Sequence, residues 1–278
     1  MSFQQKKSLG QHFLNSDFVP KKMCNAAGVV AGETILEIGP GTGILTAEIL
    51  KRGATVIAIE ADLRAITVLE ETFSTEISSE QLIIFHHDAR KLDMAQFGLV
   101  DQQFKVVANI PYYISGLLFR QCLESAIQPN TLVFLVQKEV AERIARDPKE
   151  SILSQSVKIF GDPKYVGTIK RGHFTPPPAV DSAIIAITNI DRSRLHTLSE
   201  QLFFNVLHTA FGQKRKQLAG NLAKQFNKEH ITDALIKLGL SPKSRAEDLT
   251  TSNFVNLITL LQENSHNFPQ IDTDNGSN

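Results

Sequence analysis

The stretch TILEIGPGTG at residues 34–43 decides the fold, because an apolar run there leads directly into a glycine-rich turn. Glycine lets a chain turn sharply and lets a ligand approach the backbone with no Cβ in the way. The spacing is GxGxG, whereas the dinucleotide fingerprint GxGxxG would place its third glycine at position 44, which is Ile44. The stretch therefore predicts a strand and a ligand-binding turn, and its spacing weighs against NAD or FAD.

Apolar runs of the same kind recur along the chain and alternate with helical patterns. The predicted strands are 34–38, 55–59, 82–85, 104–108 and 131–136, and the predicted helices between them are 44–51, 64–73, 115–125 and 138–146. Strands that are apolar throughout are typical of a parallel sheet buried on both faces. We therefore predict an α/β fold with helices on both faces of the sheet. Two further strands, 165–169 and 183–188, are joined by a link containing Pro176–Pro178, which cannot be helical.

Beyond about Asp191 the apolar residues follow a helical spacing. The predicted helices are 198–211, 215–226, 231–238 and 254–262. We expect an α/β domain at 1–190, with a basic arm at 1–16, and a small all-helical domain at 191–263. The last stretch, 264–278, is polar and has almost nothing to bury, so we expect a disordered tail.

The composition is that of an ordinary globular protein, with 278 residues, 42% of them hydrophobic, and zero net charge. No apolar run approaches the ~18 residues of a membrane span, and the first residues lack the hydrophobic segment of a secretion signal. Cys24 and Cys122 lie far apart without CxxC spacing, and His86 and His87 alternate across a predicted strand. We expect buried reduced thiols, structural histidines, no metal site and a cytoplasmic protein.

Three successive predicted strands end in groups that suit an adenosine ligand. The first leads into the turn that contains Gly39 and Gly41, and the second ends in Glu60, about 20 residues after Gly39. A carboxylate in that position can accept hydrogen bonds from both ribose hydroxyls. The third strand leads to Asp88, which can accept a hydrogen bond from an adenine amino group. Because parallel strands end at the same edge of a sheet, the sequence predicts an adenosine site there.

The fourth predicted strand leads into the loop Asn109-Ile110-Pro111-Tyr112. Pro111 keeps Ile110 out of the helical region, so the loop is rigid and presents its backbone carbonyls. The exocyclic amino group of adenine is a poor nucleophile because its lone pair is delocalised into the ring. Two acceptors, the Asn109 side-chain oxygen and the main-chain carbonyl of Ile110 or Pro111, would favour a pyramidal nitrogen that can attack a sulfonium methyl group. Tyr112 offers an aromatic face for a flipped-out base.

Phe174, just before the proline-rich link, allows two interpretations. It can be a second stacking surface opposite Tyr112, or it can be a phenylalanine buried in the core. The sequence leaves both open.

Positive charge is concentrated in short stretches although the net charge is zero. Residues 201–228 contain Lys214, Arg215 and Lys216 and no carboxylate. A basic stretch is often only solvated surface, but it can also hold a phosphate backbone. We expect these three side chains to contact the backbone of an RNA whose bases are available in a loop.

Four motifs occur in order along the chain, at residues 7–14 (KSLGQHFL), 37–43 (EIGPGTG), 109–112 (NIPY) and 174–182 (FTPPPAVDS). Together they resemble the bacterial small-subunit rRNA adenine dimethyltransferases, which have a Rossmann-like methyltransferase sheet that binds S-adenosylmethionine (SAM). The resemblance spans about residues 7–261 and continues through 210–216 and 245–249.

The resemblance implies transfer of methyl groups from SAM to N6 of two adjacent adenines in a hairpin loop near the 3′ end of 16S rRNA, during maturation of the 30S subunit. It makes 1–190 the SAM-binding catalytic domain and 191–263 the RNA-binding domain, and we expect a monomer. The SAM contacts that it implies are His12, Leu14, Gly39, Glu60, Asp88 and Asn109. Position 12 is often Asn in the family, and Gly212 stands where a polar or charged residue is common.

Three other functions compete with this one. The large-subunit (23S) rRNA adenine methyltransferases of the macrolide-resistance type share the sheet, the NIPY loop and a helical tail, but the LGQHFL run and the proline string favour the small-subunit type. A ribosome-assembly factor that acts mainly by binding is a second alternative. A small-molecule methyltransferase would have no reason to carry a basic helical domain.

Overall fold

A computed structural model of the chain describes residues 12–263. The predicted tail at 264–278 and the first part of the predicted arm, 1–11, lie outside the described residues. The described chain divides into two compact units, one of residues 12–148 and 156–192 and the other of residues 149–155 and 193–263. The second unit thus takes in seven residues that the sequence assigned to the first domain.

The first unit contains a seven-stranded sheet and a two-stranded one. The strands are β1 (Phe13–Leu14), β2 (Thr34–Ile38), β3 (Thr55–Glu60), β4 (Leu82–His86), β5 (Phe104–Asn109), β6 (Thr131–Gln137), β7 (Asp162–Ile169), β8 (Phe174–Thr175) and β9 (Ser182–Thr188). The large sheet has the order β4-β3-β2-β5-β6-β9-β7, and β1 pairs with β8. Neighbouring strands are parallel from β4 to β6, while β9 runs antiparallel to both β6 and β7.

The predicted strands are therefore confirmed, and β9 is the exception to the parallel arrangement. The link between β7 and β9 contains the proline string, which cannot form the crossover helix that a parallel connection usually needs. The chain instead returns directly and β9 lies beside β7 in the opposite direction.

Helices flank this sheet, and the predicted Rossmann-like arrangement is confirmed. The helices of the first unit are α1 (Phe18–Ala27), α2 (Ile44–Lys51), α3 (Leu63–Thr72), α4 (Ser74–Ser78), α5 (Ser115–Leu123) and α6 (Lys138–Ala145), while α7 (Ile152–Lys158) begins in the second unit and ends in the first. Helices α1, α4 and α7 were not predicted from the sequence. Pro20 lies in the first turn of α1, where its missing N–H would have no partner in the helix.

The second unit is helical, as predicted. Its helices are α8 (Glu200–Ala210), α9 (Leu218–Leu222), α10 (Lys228–Lys237) and α11 (Thr251–Glu263). The predicted helix 215–226 is wrong at both ends, because only Leu218–Leu222 is α-helical. Within residues 12–263, no helix is both long and apolar enough to cross a membrane.

The core of the first unit lies on the central strands, whose side chains are buried almost without exception. Burial of each large aliphatic side chain contributes about 1.5–3 kcal/mol, which explains why these strands are apolar throughout. Cys24 and Cys122 are buried and free, as predicted. Burial raises the pKa of the Cys24 thiol to about 12, so the thiol is inert at neutral pH.

The register of the parallel strands places their carboxyl ends together. Ile38 at the end of β2 pairs with Ile59, and Glu60 at the end of β3 pairs with His86. Asn109 ends β5 on the other side of β2. Ligands of open α/β sheets bind at this edge.

Candidate functional site

A cavity of about 280 Å³ opens at the carboxyl ends of β2, β3, β4 and β5. Nine of the residues that the sequence assigned to cofactor binding or catalysis line it: His12, Leu14, Gly39, Gly41, Glu60, Asp88, Asn109, Pro111 and Tyr112. The fold of the first unit thus places these residues, from four strand ends and from the segment around β1, in the wall of one cavity.

The glycine turn forms one wall of the cavity. Gly39 and Gly41 have φ values of 68° and 57°, in the left-handed region that side chains disfavour. A Cβ at position 41 would also lie 2.7 Å from Cε1 of Phe13, so a larger residue there would force the Phe13 ring to move. The Gly41 N–H donates a hydrogen bond to Glu60 Oε2 at 3.1 Å. The turn and the end of β3 are therefore fixed to each other.

Glu60 is buried and held by three backbone N–H groups. Its Oε1 accepts from Ala61 and Asp62, each at 2.9 Å, and Oε2 accepts from Gly41. A carboxylate offers about four lone pairs, so acceptor capacity remains on Oε2. Burial raises the pKa of the Glu60 carboxyl, and the three N–H groups oppose this rise by favouring the charged form.

Glu37 is a second buried carboxyl in the cavity wall, and no role was predicted for it from the sequence. It is 1% exposed, and its Oε2 accepts a hydrogen bond from Thr46 Oγ1 at 2.7 Å. Burial raises its pKa to about 8, opposed by the Thr46 hydrogen bond and reinforced by the nearby charge of Glu60. Among the described residues, neither Glu37 nor Glu60 forms an ion pair, and the Arg90 guanidinium in the same wall is paired with Asp88.

Asp88 lines the cavity at the end of β4 and is tied to Arg90. The Arg90 guanidinium donates from Nε to both carboxylate oxygens and from Nη2 to Oδ2 at 2.6 Å. These hydrogen bonds lower the pKa of the Asp88 carboxyl below its ordinary value. Asp88 is thus an anionic acceptor at the predicted adenine end of the site.

Asn109 faces the cavity with its amide orientation set by the residue that precedes β1. Its Nδ2 donates a hydrogen bond to the main-chain carbonyl of His12 at 3.1 Å. The two hydrogen-bonding atoms of an amide point in different directions, so this bond leaves Oδ1 as a free acceptor. The Pro111 carbonyl accepts from the Ile114 N–H at 3.2 Å, whereas no described residue donates to the Ile110 carbonyl. Of the two carbonyls that the sequence left open, the one of Ile110 is the more available.

Tyr112 follows this loop and is half-buried. Its hydroxyl shares a hydrogen bond of 2.6 Å with Ser182 Oγ, whose residue is fully buried on β9. The His12 ring stacks beside the Tyr112 ring, with centroids 5.8 Å apart and planes inclined by 26°. The His12 Nδ1 lies 2.8 Å from the Pro176 carbonyl, to which it can donate. Tyr112 therefore presents an aromatic ring that is held through its hydroxyl by Ser182 and by stacking with the His12 ring.

The structure corrects the assignment of Phe174 as a stacking surface. Phe174 is 2% exposed, belongs to the hydrophobic core and does not line the cavity. It pairs with Leu14 across the β1–β8 ladder, and an apolar ring at that position gains more from burial than from exposure. The alternative interpretation, a core phenylalanine, is the one that the structure has.

Lys214, Arg215 and Lys216 are exposed in the second unit, but they lie on a turn and not on a helix. Asn221, which is 4% exposed, donates from Nδ2 to the carbonyls of Ala210 at 2.6 Å and Gln213 at 3.2 Å. These bonds close the loop between α8 and α9 and hold it out of the helical conformation. Helical spacing of apolar residues could not reveal a single buried amide of this kind.

Several other residues of the cavity wall were missed or were given no role in binding. They include Phe13, His87, Arg90 and Tyr113. Each lies within two residues of a predicted site residue in the chain, and that proximity is the one signal available in the sequence. Among the described residues, no group of three or more His, Cys, Asp and Glu side chains is placed to hold a metal ion.

Comparison with known proteins agrees with this geometry. The curated "Ribosomal RNA small subunit methyltransferase A" of Dehalococcoides mccartyi is 36% identical over 266 residues, which cover 95% of this chain and 90% of that protein. A solved dimethyladenosine transferase from Plasmodium falciparum is 28% identical with a TM-score of 0.77, covering 91% of this chain and 98% of that one. The solved 23S rRNA methyltransferase ErmE has a TM-score of 0.72 and covers 90% of this chain and 99% of its own, but it is only 21% identical and shows the fold alone.

The family described as "Ribosomal RNA adenine dimethylase" matches residues 2–263, which is nearly the whole chain. Its members are methyltransferases that use SAM as the methyl donor. With the strand-end cavity, the NIPY loop and relatives of this degree of identity, the chain belongs to the ribosomal RNA adenine dimethylase family.

Proposed function

We propose that this chain dimethylates N6 of two adjacent adenines in a hairpin loop near the 3′ end of 16S rRNA, acting on the small ribosomal subunit as a cytoplasmic monomer. Relatives over 30% identical that carry a small-subunit methyltransferase name support the choice of subunit. The observation that carries the chemistry is the orientation of Asn109, whose Nδ2 is engaged by the His12 carbonyl and whose Oδ1 is left for a substrate.

The walls of the cavity suit SAM in their chemistry. SAM carries positive charge, ribose hydroxyls and an adenine amino group, and the cavity offers the Glu60 carboxyl, which forms no ion pair among the described residues, and the anionic acceptor Asp88. We infer that Glu60 accepts from the ribose through the remaining capacity of Oε2, and that Gly39 and Gly41 allow the ligand to approach the backbone. Leu14 and His12 close the cavity from β1.

When bound, SAM supplies a methyl group on a positively charged sulfur. The residues of the loop prepare the acceptor: Asn109 Oδ1 and the Ile110 carbonyl accept the two hydrogens of the adenine amino group. Such acceptors favour a pyramidal nitrogen with a localised lone pair, and they are held in place before the reaction begins. The methylated nitrogen is cationic and loses its proton readily, so the mechanism needs no strong base.

Tyr112 serves as the stacking surface for the target base. Pro111, which lies between Ile110 and Tyr112, makes the loop rigid. Since Phe174 is buried, we assign it to the support of β1 and not to contact with the base. In the second unit, the exposed turn at Lys214–Lys216 supplies three cations for phosphate contacts.

The test is methyl transfer from labelled SAM to unmethylated 30S and 50S particles offered separately, with the modified nucleoside identified. We expect N6,N6-dimethyladenosine in the 30S particle alone. Transfer to the 50S particle would favour the macrolide-resistance type of activity. A purified, folded protein that transfers methyl groups to neither particle would contradict the proposal.

A further inference from the structure

Arg90 makes an unusually complete set of contacts with Asp88, although neither residue lies deep in the core. Besides the guanidinium bonds, the Arg90 backbone N–H donates to Asp88 Oδ1 at 2.9 Å. Nε lies 3.0 Å from Oδ1 and 2.9 Å from Oδ2, and Nη2 lies 2.6 Å from Oδ2. The Arg90 main chain is itself held by Gln121, whose Nε2 donates to the Arg90 carbonyl at 2.9 Å.

Arg90 fixes the Asp88 carboxylate without covering it. Three Arg90 hydrogens, on the backbone N, Nε and Nη2, make four contacts with the carboxylate, two on each oxygen, because both oxygens share the Nε hydrogen. The Asp88 side chain is still 32% exposed and lines the cavity, so part of the carboxylate surface remains open to a ligand. With Arg90 present, this open surface belongs to a carboxylate that is ionised and fixed in one rotamer.

The chain contains a second pair of the same kind. Asp62 accepts from the Arg64 backbone N–H at 3.1 Å, from Nε at 3.0 Å and from Nη2 at 2.5 Å. This pair follows β3, as Asp88 and Arg90 follow β4, but it does not line the cavity. The local motif alone therefore serves to cap the turn that follows a strand, and only the pair after β4 faces a ligand site.

We propose that Arg90 is a positioning residue for adenine recognition: it holds Asp88 so that the open surface of its carboxylate meets the exocyclic amino group of the cofactor's adenine. The inference rests on the proposed function, in which Asp88 accepts that hydrogen bond. Arg90 acts through Asp88, and its fork geometry, which binds both carboxylate oxygens at once, is what a lysine could not reproduce.

This role predicts a specific selectivity. An adenine presents an amino donor to Asp88, whereas hypoxanthine presents a carbonyl oxygen at the same place, and two acceptors repel each other. A site built to accept a hydrogen bond rejects an analogue without the donor, because its own polar group is left unpaired. The selectivity depends on the carboxylate being held, so it should weaken when Arg90 is removed.

The experiment uses the full chain and isothermal titration calorimetry with S-adenosylhomocysteine and S-inosylhomocysteine. We expect the wild-type protein to prefer the adenosyl ligand by about tenfold or more, the size of one hydrogen bond to a charged group. Arg90→Ala should reduce this preference to about a third or less while nearly preserving affinity for the inosyl ligand. Arg90→Lys should restore part of the preference. Arg64→Ala, which removes the same contacts outside the cavity, should keep the wild-type preference.

Thermal melting of each variant separates binding from folding. The inference is overturned if Arg90→Ala keeps the wild-type preference for the adenosyl ligand, or if its affinities for the two ligands fall by the same factor. It is also overturned if Arg64→Ala reduces the preference as much as Arg90→Ala does. A wild-type protein without any preference overturns the inference together with the assignment of Asp88 to adenine. Methyl transfer to 30S particles is measured separately, so either result leaves the proposed transferase function to be judged by that assay.

Discussion

The cavity at the sheet edge and the basic turn at residues 211–217 fix their functional groups in different ways. At the sheet edge, Glu60 and Asn109 stand on strand ends and are bound by the backbone of neighbouring segments. In the basic turn, Lys214–Lys216 are exposed, and Asn221 beneath them orders the backbone but not their side chains. The difference indicates that atom transfer needs rigid placement, whereas contact with phosphates tolerates mobile side chains.

The largest expected effect comes from breaking the rigid region at Asn109. Asn109→Ala should lower the rate of methyl transfer by about 10²–10³-fold, the usual loss when one positioned polar contact to a transition state is removed. The affinity for 30S particles should remain, because the phosphate contacts lie in the other region. Single-turnover transfer and particle binding measure the two quantities. A variant that transfers at the wild-type rate would remove Asn109 from the mechanism.

Asn130→Ala is the matched control for that variant. Asn130 Nδ2 donates to the Gln102 carbonyl at 3.1 Å, the same kind of bond that Asn109 makes to His12, but it lies outside the cavity. We expect wild-type transfer from this control. A loss of the same size in both variants would show that the effect of Asn109 is one of stability.

Sequence could predict the rigid region because each group there follows a buried strand. Burial on both faces makes such strands continuously apolar, and chain order then places Gly39, Glu60, Asp88 and Asn109 at one edge. Arg90 and Ser182 were beyond reach because they act through another side chain. Phe174 was ambiguous because an aromatic residue at a strand end suits both core and ligand contact.

The basic turn was predicted less well, for a physical reason. Residues 215–226 have helical spacing, but the hydrogen bonds of Asn221 to the carbonyls of Ala210 and Gln213 override this local preference. Local spacing contains no information about a tertiary contact that competes with the helix. That the turn carries a cluster of cations is visible in the sequence, but its non-helical conformation could not be predicted.

The second largest effect is expected from charge reversal in the basic turn. Replacing Lys214, Arg215 and Lys216 together by Glu should lower affinity for 30S particles by about 10²-fold and leave SAM affinity unchanged. Each lost phosphate contact on a single strand reduces the slope of log affinity against log salt by about 0.7, so the slope should fall by about two. Filter binding across a salt series measures both.

Reversal of Lys237 and Lys243 is the control for this variant. Both are exposed cations of the same helical unit outside the turn. We expect them to alter the salt slope less than the triple reversal. Equal slopes for the two variants would mean that RNA binding depends on the total charge of the helical unit. The basic turn would then not be a distinct binding region to compare with the cavity at the sheet edge.

A smaller effect is expected from loosening the turn while keeping its charge. Asn221→Ala removes both hydrogen bonds of a buried amide and should lower the free energy of unfolding by about 1–3 kcal/mol. RNA affinity of the folded variant should fall by less than in the charge reversal, because the cations remain. Denaturant unfolding and filter binding test the two parts.

Asn227→Ala provides the stability control for Asn221→Ala. Asn227 caps α10 by accepting from the Glu229 N–H at 2.8 Å, and loss of such a cap costs about 1 kcal/mol. This variant should be destabilised with unchanged RNA affinity. If Asn221→Ala binds RNA as weakly as the charge reversal, the order of the turn matters as much as its charge, and the contrast with the sheet edge disappears.

The smallest effect concerns Ser182, which holds the hydroxyl of Tyr112. Ser182→Ala removes one hydrogen bond of 2.6 Å and should raise KM for the RNA about threefold to tenfold, through a Tyr112 ring that is less well fixed. SAM affinity should not change. Thr168→Val is the matched control, since Thr168 Oγ1 and the Tyr165 hydroxyl form a bond of the same kind at 2.7 Å on β7, away from the cavity. Because Ser182 does not line the cavity, a change in KM confined to Ser182→Ala would show that rigidity at the sheet edge extends to groups behind the site. If Ser182→Ala and Thr168→Val have the same KM, the rigidity that matters for RNA binding is limited to the residues that line the cavity.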